Sequence, residues 1–279
     1  MDEKLKTTIQ KIQLLAKQNP DFEKEMRSIF GGKGCVVLNN VNRIDDIYEY
    51  CIQKIIRKQA EDFYKNFQLN SLIPSLIDDY IRMEDFRRKD NFGDFCLAVY
   101  QQIEAITNTI CNNPKMQTIT SAMWQCPAYI KTSFDLKGAS PIISERKGNY
   151  TIADLIFSKN ESEDKSQKSI SEISAIGKIK IVIYYFGFRA MMFSNNYNDF
   201  QVIKSLFVDI YQCRNLNHRG NNSSEYQKGI TDRILAEKSF YYYKFLSGLI
   251  KYIEYVNNGL DNMETIIFDY ANTLQMNKS

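Results

Sequence analysis

Histidine occurs once in 279 residues, at position 218, and tryptophan once, at 124. A single imidazole leaves little with which to build a zinc site. The six cysteines, at 35, 51, 96, 111, 126 and 213, contain no C-x-x-C pair that would supply thiolates instead. No metal and no cofactor are expected. Four of the cysteines, Cys51, Cys96, Cys111 and Cys213, fall on helix-like patterns, which fits reduced thiols buried in a cytosolic core. Long apolar runs are missing too. The most apolar stretch, Ala175 to Phe193, is interrupted by Lys178, Lys180 and Arg189, and falls short of the ~20 clean apolar residues a spanning helix needs. The stretch MDEKLKTTIQKIQLLAKQ is an amphipathic polar helix without the apolar core of an export signal. A cytoplasmic protein with no membrane contact is expected.

Charge of one sign is also lacking. The 36 basic and 33 acidic residues leave a formal net charge of +3, too mild to mark a polyanion binder, so phosphate contacts must come from local patches. GGKG at 31–34 lacks the G-x-x-x-x-G-K-[ST] spacing of a phosphate loop and follows no clear strand, so it reads as a plain loop. No internal repeat is present. With 44% hydrophobic and 25% charged residues the composition is that of an ordinary globular protein.

The periodicity that is present is helical. Residues 1 to 30 read as one or two helices broken at NPDF, where Pro20 follows Asn19. Ile44, Ile47, Cys51, Ile55 and Phe63 recur near helical spacing, and a second helix follows Pro74 into the basic cluster Arg87, Arg88 and Lys89. Phe92, Phe95, Cys96, Val99, Ile103, Ile106 and Ile110 form one clear stripe, and a shorter helix after Pro114 should end near Pro127. Residues 131–174 change character, with short strands expected in ASPIISERKGNYTIADLIF and a mobile polar loop in SKNESEDKSQKSISEIS. Ala175 to Phe193 suits a core helix or a buried strand. A helix carrying Ile203, Phe207 and Ile210 follows, then a glycine- and asparagine-containing loop, then a long tyrosine-rich helix over 230–256 with Leu235, Tyr242, Leu246, Leu249, Ile253 and Val256 as its seam. A short terminal helix is expected from Gly259.

The only histidine lies in CRNLNHRG, residues 213–220. Arg214 continues the row of Ile203, Phe207 and Ile210, and His218 lies four positions further on, so a continuing helix would project both from one face. RNLNHRG, the apolar helix before it, the glycine-containing loop after it and the helix TDRILAEKSFYYYKFLSGLIKYIEYV together resemble the HEPN superfamily. EDFRRKDNFGDFCLAVYQQIEAITNTI is similar to the first helix of such a bundle. These are all-helical proteins whose catalytic members are metal-independent ribonucleases of CRISPR, toxin and abortive-infection systems. The resemblance spans about residues 84–257. It implies a mainly α fold: a HEPN-like antiparallel helical bundle over 83–258 with a loop insertion at 131–174, an extra N-terminal helical region at 1–82 and a tail helix at 259–279.

The resemblance further implies RNA cleavage by attack of a 2′-hydroxyl on the neighbouring phosphate, at a composite site in a homodimer or higher oligomer, with a partner protein of a defence complex as a further candidate. His218 suits proton transfer because an imidazole titrates near neutrality. Arg214 suits the developing phosphate charge, and Asn215 would orient either one or the substrate. Arg219 is a candidate for a flanking phosphate contact, and Arg87, Arg88 and Lys89 are candidates for contacts to RNA. The family pattern places more residues between arginine and histidine than the three found here. Two non-catalytic roles stand beside this one. Arg214 could pair with Asp209 or Glu237, and His218 could cap a helix C-terminus. The rival classes are an RNA- or protein-binding accessory subunit and a structural helical scaffold.

Overall fold

The computed structural model describes residues 7, 10, 11, 14, 41–121, 123–124, 151–157, 169–189, 197–214, 216 and 225–263. NPDF, the GGKG loop, residues 131–150 and the tail beyond Met263 lie outside these. Among the described residues the chain is mostly helical and has no strand. It divides into two compact units, Met1–Asp62 and Phe63–Ser279.

The first unit holds most of helix α1 (Val41–Tyr64). Its buried row is Cys51, Ile56 and Ala60, which advances by four- and five-residue steps, so the predicted Ile55 turns partly outward.

The second unit is organised by helix α3 (Phe92–Cys111). Every member of its predicted stripe is buried, and so are Ala98, Tyr100, Gln102 and Thr107, so the helix is enclosed on nearly all sides. Helix α2 (Ile73–Arg88) has proline in its first turn, where the missing N–H costs nothing. It folds back antiparallel onto α3 through Lys89–Asn91. Asp90 takes a positive φ of 55° in that turn, a conformation aspartate tolerates better than most residues, and Asn91 caps α3 by accepting from the Asp94 N–H. Around α3 also pack α4 (Pro114–Ser121), α6 (Ala175–Val182), α7 (Tyr197–Cys213) and α9 (Lys238–Asp261). The short α5 (Ile152–Ile156) lies on α6, and α8 (Glu225–Ala236) lies on α7 and α9. Aromatic contacts join the starts of α3 and α9: Phe92 and Phe95 each meet Tyr242 edge to face, with centroids 5.0 and 4.7 Å apart.

Polar groups on the enclosed helix find partners inside. The Tyr64 hydroxyl donates to Gln102 Oε1 at 2.5 Å, and the Gln102 amide donates to Ala98 O at 3.0 Å. Thr107 Oγ1 lies 2.5 Å from the Tyr252 hydroxyl. Unpaired, each of these buried groups would cost on the order of 1–3 kcal/mol.

Several expectations change in detail. Ile152–Ile156 is a helix and no short strand, because Thr151 and Asp154 form a capping box at its start. Helix α4 ends at Ser121, well before Pro127. Ala175 to Arg189 is helical throughout, α6 passing into a π-helical segment, Ile183–Arg189. The long tyrosine-rich helix is two helices, broken at Glu237, whose ψ of 32° leaves the helical region. Leu235, expected in the seam, is exposed, and Tyr241, Phe245 and Tyr252 are buried along with Leu249, Ile253 and Val256. Helix α9 also runs on through Gly259, where a separate tail helix was expected.

Two of the glycines have opposite surroundings. A Cβ on Gly259 would collide with the Phe186 side chain of the π-helical segment, whereas a Cβ on Gly229, in α8, would meet nothing within 4 Å. Gly259→Ala should therefore destabilise the protein by about 1–3 kcal/mol through overpacking. Gly229→Ala should stabilise it by up to ~1 kcal/mol through helix propensity alone. Urea denaturation of the two variants checks the opposite signs.

Candidate functional site

Helix α7 buries Phe200, Ile203, Leu206, Phe207, Ile210 and Cys213, so its apolar row is set by the four-residue rhythm of a helix lying on α3 and α9. Arg214 follows its last residue, and the Arg214 backbone N–H still donates to Ile210 O at 3.1 Å. Its side chain is half-buried. The guanidinium lies over the Tyr211 ring, 3.5 Å from the centroid, and 5.2 Å from the centroid of Tyr100 on α3. One guanidinium N–H also donates to the Tyr211 carbonyl, capping the helix that carries it. The two tyrosine rings meet edge to face at 5.8 Å.

Arg214 does not pair with Asp209. That carboxylate accepts from Arg233 on α8 at 3.0 Å, and a second contact, Gln227 Nε2 to Gln212 Oε1 at 3.1 Å, lies further along the same two helices. Helix α8 thus returns antiparallel beside α7 and joins the two flanks of the segment that carries Asn215, His218 and Arg219. Those three residues lie outside the described ones. Cys213, next to Arg214, is buried against Cys96, and burial pushes the Cys96 thiol well above its ordinary range. Both cysteines are free, and this environment suits packing better than nucleophilic attack.

The basic cluster at the end of α2 is exposed, and carboxylates of its own helix flank it. Arg87 grips Glu84 with two N–H donors, at 2.9 and 2.6 Å, and Lys89 lies 2.7 Å from Asp85. Arg88 occupies the same last turn, where cations complement the helix dipole. The turn after α2 is tied to the start of α9, because Asp90 accepts from Lys238 at 2.5 Å and from the Tyr242 hydroxyl at 3.3 Å. Tyr100 and Cys96, in the first half of α3, meet the end of α7. The C-terminal ends of α2 and α7 and the N-terminal ends of α3 and α9 therefore share one end of the bundle, and Arg214 and the Arg87–Lys89 cluster share it with them.

Comparison with protein families, with curated proteins and with solved structures finds no match for the chain.

Chemically, the end of α7 offers a cation that no carboxylate touches among the described residues. An arginine stacked on rings keeps its charge and most of its donors, which suits an incoming oxyanion. No group of three or more His, Cys, Asp or Glu side chains able to hold a metal occurs among the described residues, and none of their helices is long and apolar enough to cross a membrane. The sequence reading missed Tyr211, although an i, i+3 spacing to Arg214 was visible. It also missed Tyr100, which reaches the site from another helix. Trp124 stacks on Phe157, with ring centroids 5.9 Å apart.

Burial raises the Asp209 pKa, and Arg233 and Lys244 offset only part of that rise. A raised folded-state pKa contributes stability that is fully present below the unfolded value of about 3.9 and is lost as pH rises through the folded value. Relative to Asp209→Asn, the wild type should lose stability as pH is raised through the acid range above about 3.9. Urea denaturation of both proteins at several pH values checks this, and a difference independent of pH would contradict it.

Proposed function

We propose that the chain is a metal-independent endoribonuclease of an anti-phage defence system, CRISPR-associated or of abortive-infection type, built as a HEPN-like bundle. Two copies would bring the ends of their α7 helices together into one composite site. His218 transfers the proton between the attacking 2′-hydroxyl and the leaving 5′-oxygen, Arg214 stabilises the charge that develops on the phosphate, and Asn215 orients them. Arg219 holds a flanking phosphate, and Arg87, Arg88 and Lys89 add weaker phosphate contacts, because Glu84 and Asp85 already offset the charges of Arg87 and Lys89.

The observation that carries this reading is the environment of Arg214. Arg87 and Arg233 lie against carboxylates, whereas Arg214 is held by two rings and a carbonyl. Among the described residues no carboxylate neutralises its charge, and it lies at the bundle end that also carries the Arg87–Lys89 cluster. Loss of a positioned charge stabiliser or of a general acid–base group each costs about 10²–10³-fold in rate.

The interval of three residues between Arg214 and His218 favours a second reading, an accessory subunit that binds RNA or a partner protein of the defence complex without cleaving. Structured and unstructured RNA incubated with the chain in EDTA separates the two. Cleavage by the wild type, reduced at least ~10²-fold by Arg214→Ala and by His218→Ala, is expected. Cleavage that survives both substitutions contradicts the site assignment, and RNA binding without cleavage favours the accessory subunit.

A further inference from the structure

A carboxylate would fix a guanidinium more strongly than a ring does, but it would also cancel the charge that a phosphate needs to meet. A ring face holds the cation by its quadrupole and takes up none of its N–H donors. At Arg214 the two functions are divided. Tyr211, three residues earlier on α7, places its ring under the guanidinium, with the centroid 3.5 Å away, and supplies a backbone carbonyl to one of its donors. Tyr100 stands against both from α3, 5.2 Å from the guanidinium and 5.8 Å from the Tyr211 ring. Tyr100 is itself immobilised: it is 4% exposed, and its hydroxyl donates to Glu104 Oε1 at 2.7 Å, one turn along the same helix. Glu104 thus touches the phenol of Tyr100.

We propose that Tyr211 and Tyr100 are positioning residues that present the Arg214 guanidinium, charge intact, to an RNA phosphate, and that Glu104 fixes Tyr100 for this purpose. The inference rests on the reading of Arg214 as the charge-stabilising arginine. It makes a specific demand on chemistry: the ring matters, and the phenolic oxygen of Tyr211 does not. It also makes Arg214→Lys a poor substitute, since an ammonium lacks the planar fork that stacks and bridges two phosphate oxygens.

Steady-state cleavage of a fluorogenic single-stranded RNA in EDTA, with the full chain, tests this. Tyr211→Leu and Tyr100→Leu should each lower kcat about tenfold with KM changed less than about twofold, the loss expected for one part-buried cation–π contact. Tyr211→Phe should keep most of the wild-type kcat, and Tyr100→Phe, which keeps the ring but loses the hydrogen bond to Glu104, should fall between the wild type and Tyr100→Leu. Because Tyr100 is buried, its variants are compared at equal folded fraction by thermal unfolding, and the half-buried Tyr211 provides the second, less disruptive position. The Arg214 Nε–H resonance, assigned by its loss in Arg214→Ala, should show a ring-current shift in the wild type and both Phe variants and lose it in Tyr211→Leu.

Failure of the two ideas is distinguishable. If the wild type does not cleave, the ribonuclease reading falls; if Arg214→Ala cleaves as the wild type does, the assignment of Arg214 falls; in either case the positioning role falls with it. If Arg214→Ala is inactive while Tyr211→Leu and Tyr100→Leu keep full kcat, or if Tyr211→Phe loses as much as Tyr211→Leu, the positioning role alone is overturned.

Discussion

The second unit depends on the enclosure of α3. A helix buried on nearly all sides has no solvent face to absorb error, so each neighbour must match it and each of its polar groups must be satisfied within the core. That explains the pairing of Gln102 with Tyr64 and of Thr107 with Tyr252. It also fixes the direction of the surrounding helices, because α2 must fold back through a three-residue turn and α9 must align its aromatic start with Phe92 and Phe95. Glycine at 259 serves the same end, letting α9 approach the π-helical segment where any side chain would collide with Phe186.

Under the proposed function, enclosure has a consequence at one end of the bundle. Tyr100 is part of the buried wall, yet its ring reaches the point where α7 stops. A side chain resting on that wall inherits its rigidity, and Arg214 rests on it. Rigid placement of a charge before the reaction is what electrostatic stabilisation of a transition state requires, since donors that must reorganise lose much of their effect. On the other side, the Asp209–Arg233 pair and the Gln212–Gln227 contact bind α8 to α7. The segment with the single histidine is thereby flanked by two helices that are fixed to each other.

Much of the helical layout was legible in the sequence. The stripe from Phe92 to Ile110 is entirely buried because a three- to four-residue rhythm of strong apolar residues leaves no alternative arrangement. Boundaries were less legible. The break at Glu237 interrupts an unbroken helical pattern, and Thr151-x-x-Asp154 is a capping signal that a β-branched neighbourhood concealed. At the candidate site, Arg214 was visible by its phase on α7, but the exchange of partners was not. Asp209 was available to Arg214 by proximity in sequence and instead pairs with Arg233, twenty-four residues away, because α8 folds back beside α7. Tyr100 was hidden for the same reason: it reads as one more core residue of α3 until α7 is packed against it.

The proposed reaction is a metal-independent 2′-hydroxyl attack, and the ends of the product report it most directly. A short RNA of defined sequence, incubated with the chain in EDTA and analysed by mass spectrometry, should yield fragments ending in a 2′,3′-cyclic phosphate and beginning with a 5′-hydroxyl. Fragments with 3′-hydroxyl and 5′-phosphate ends, or cleavage that appears only when a divalent metal is supplied, would contradict it.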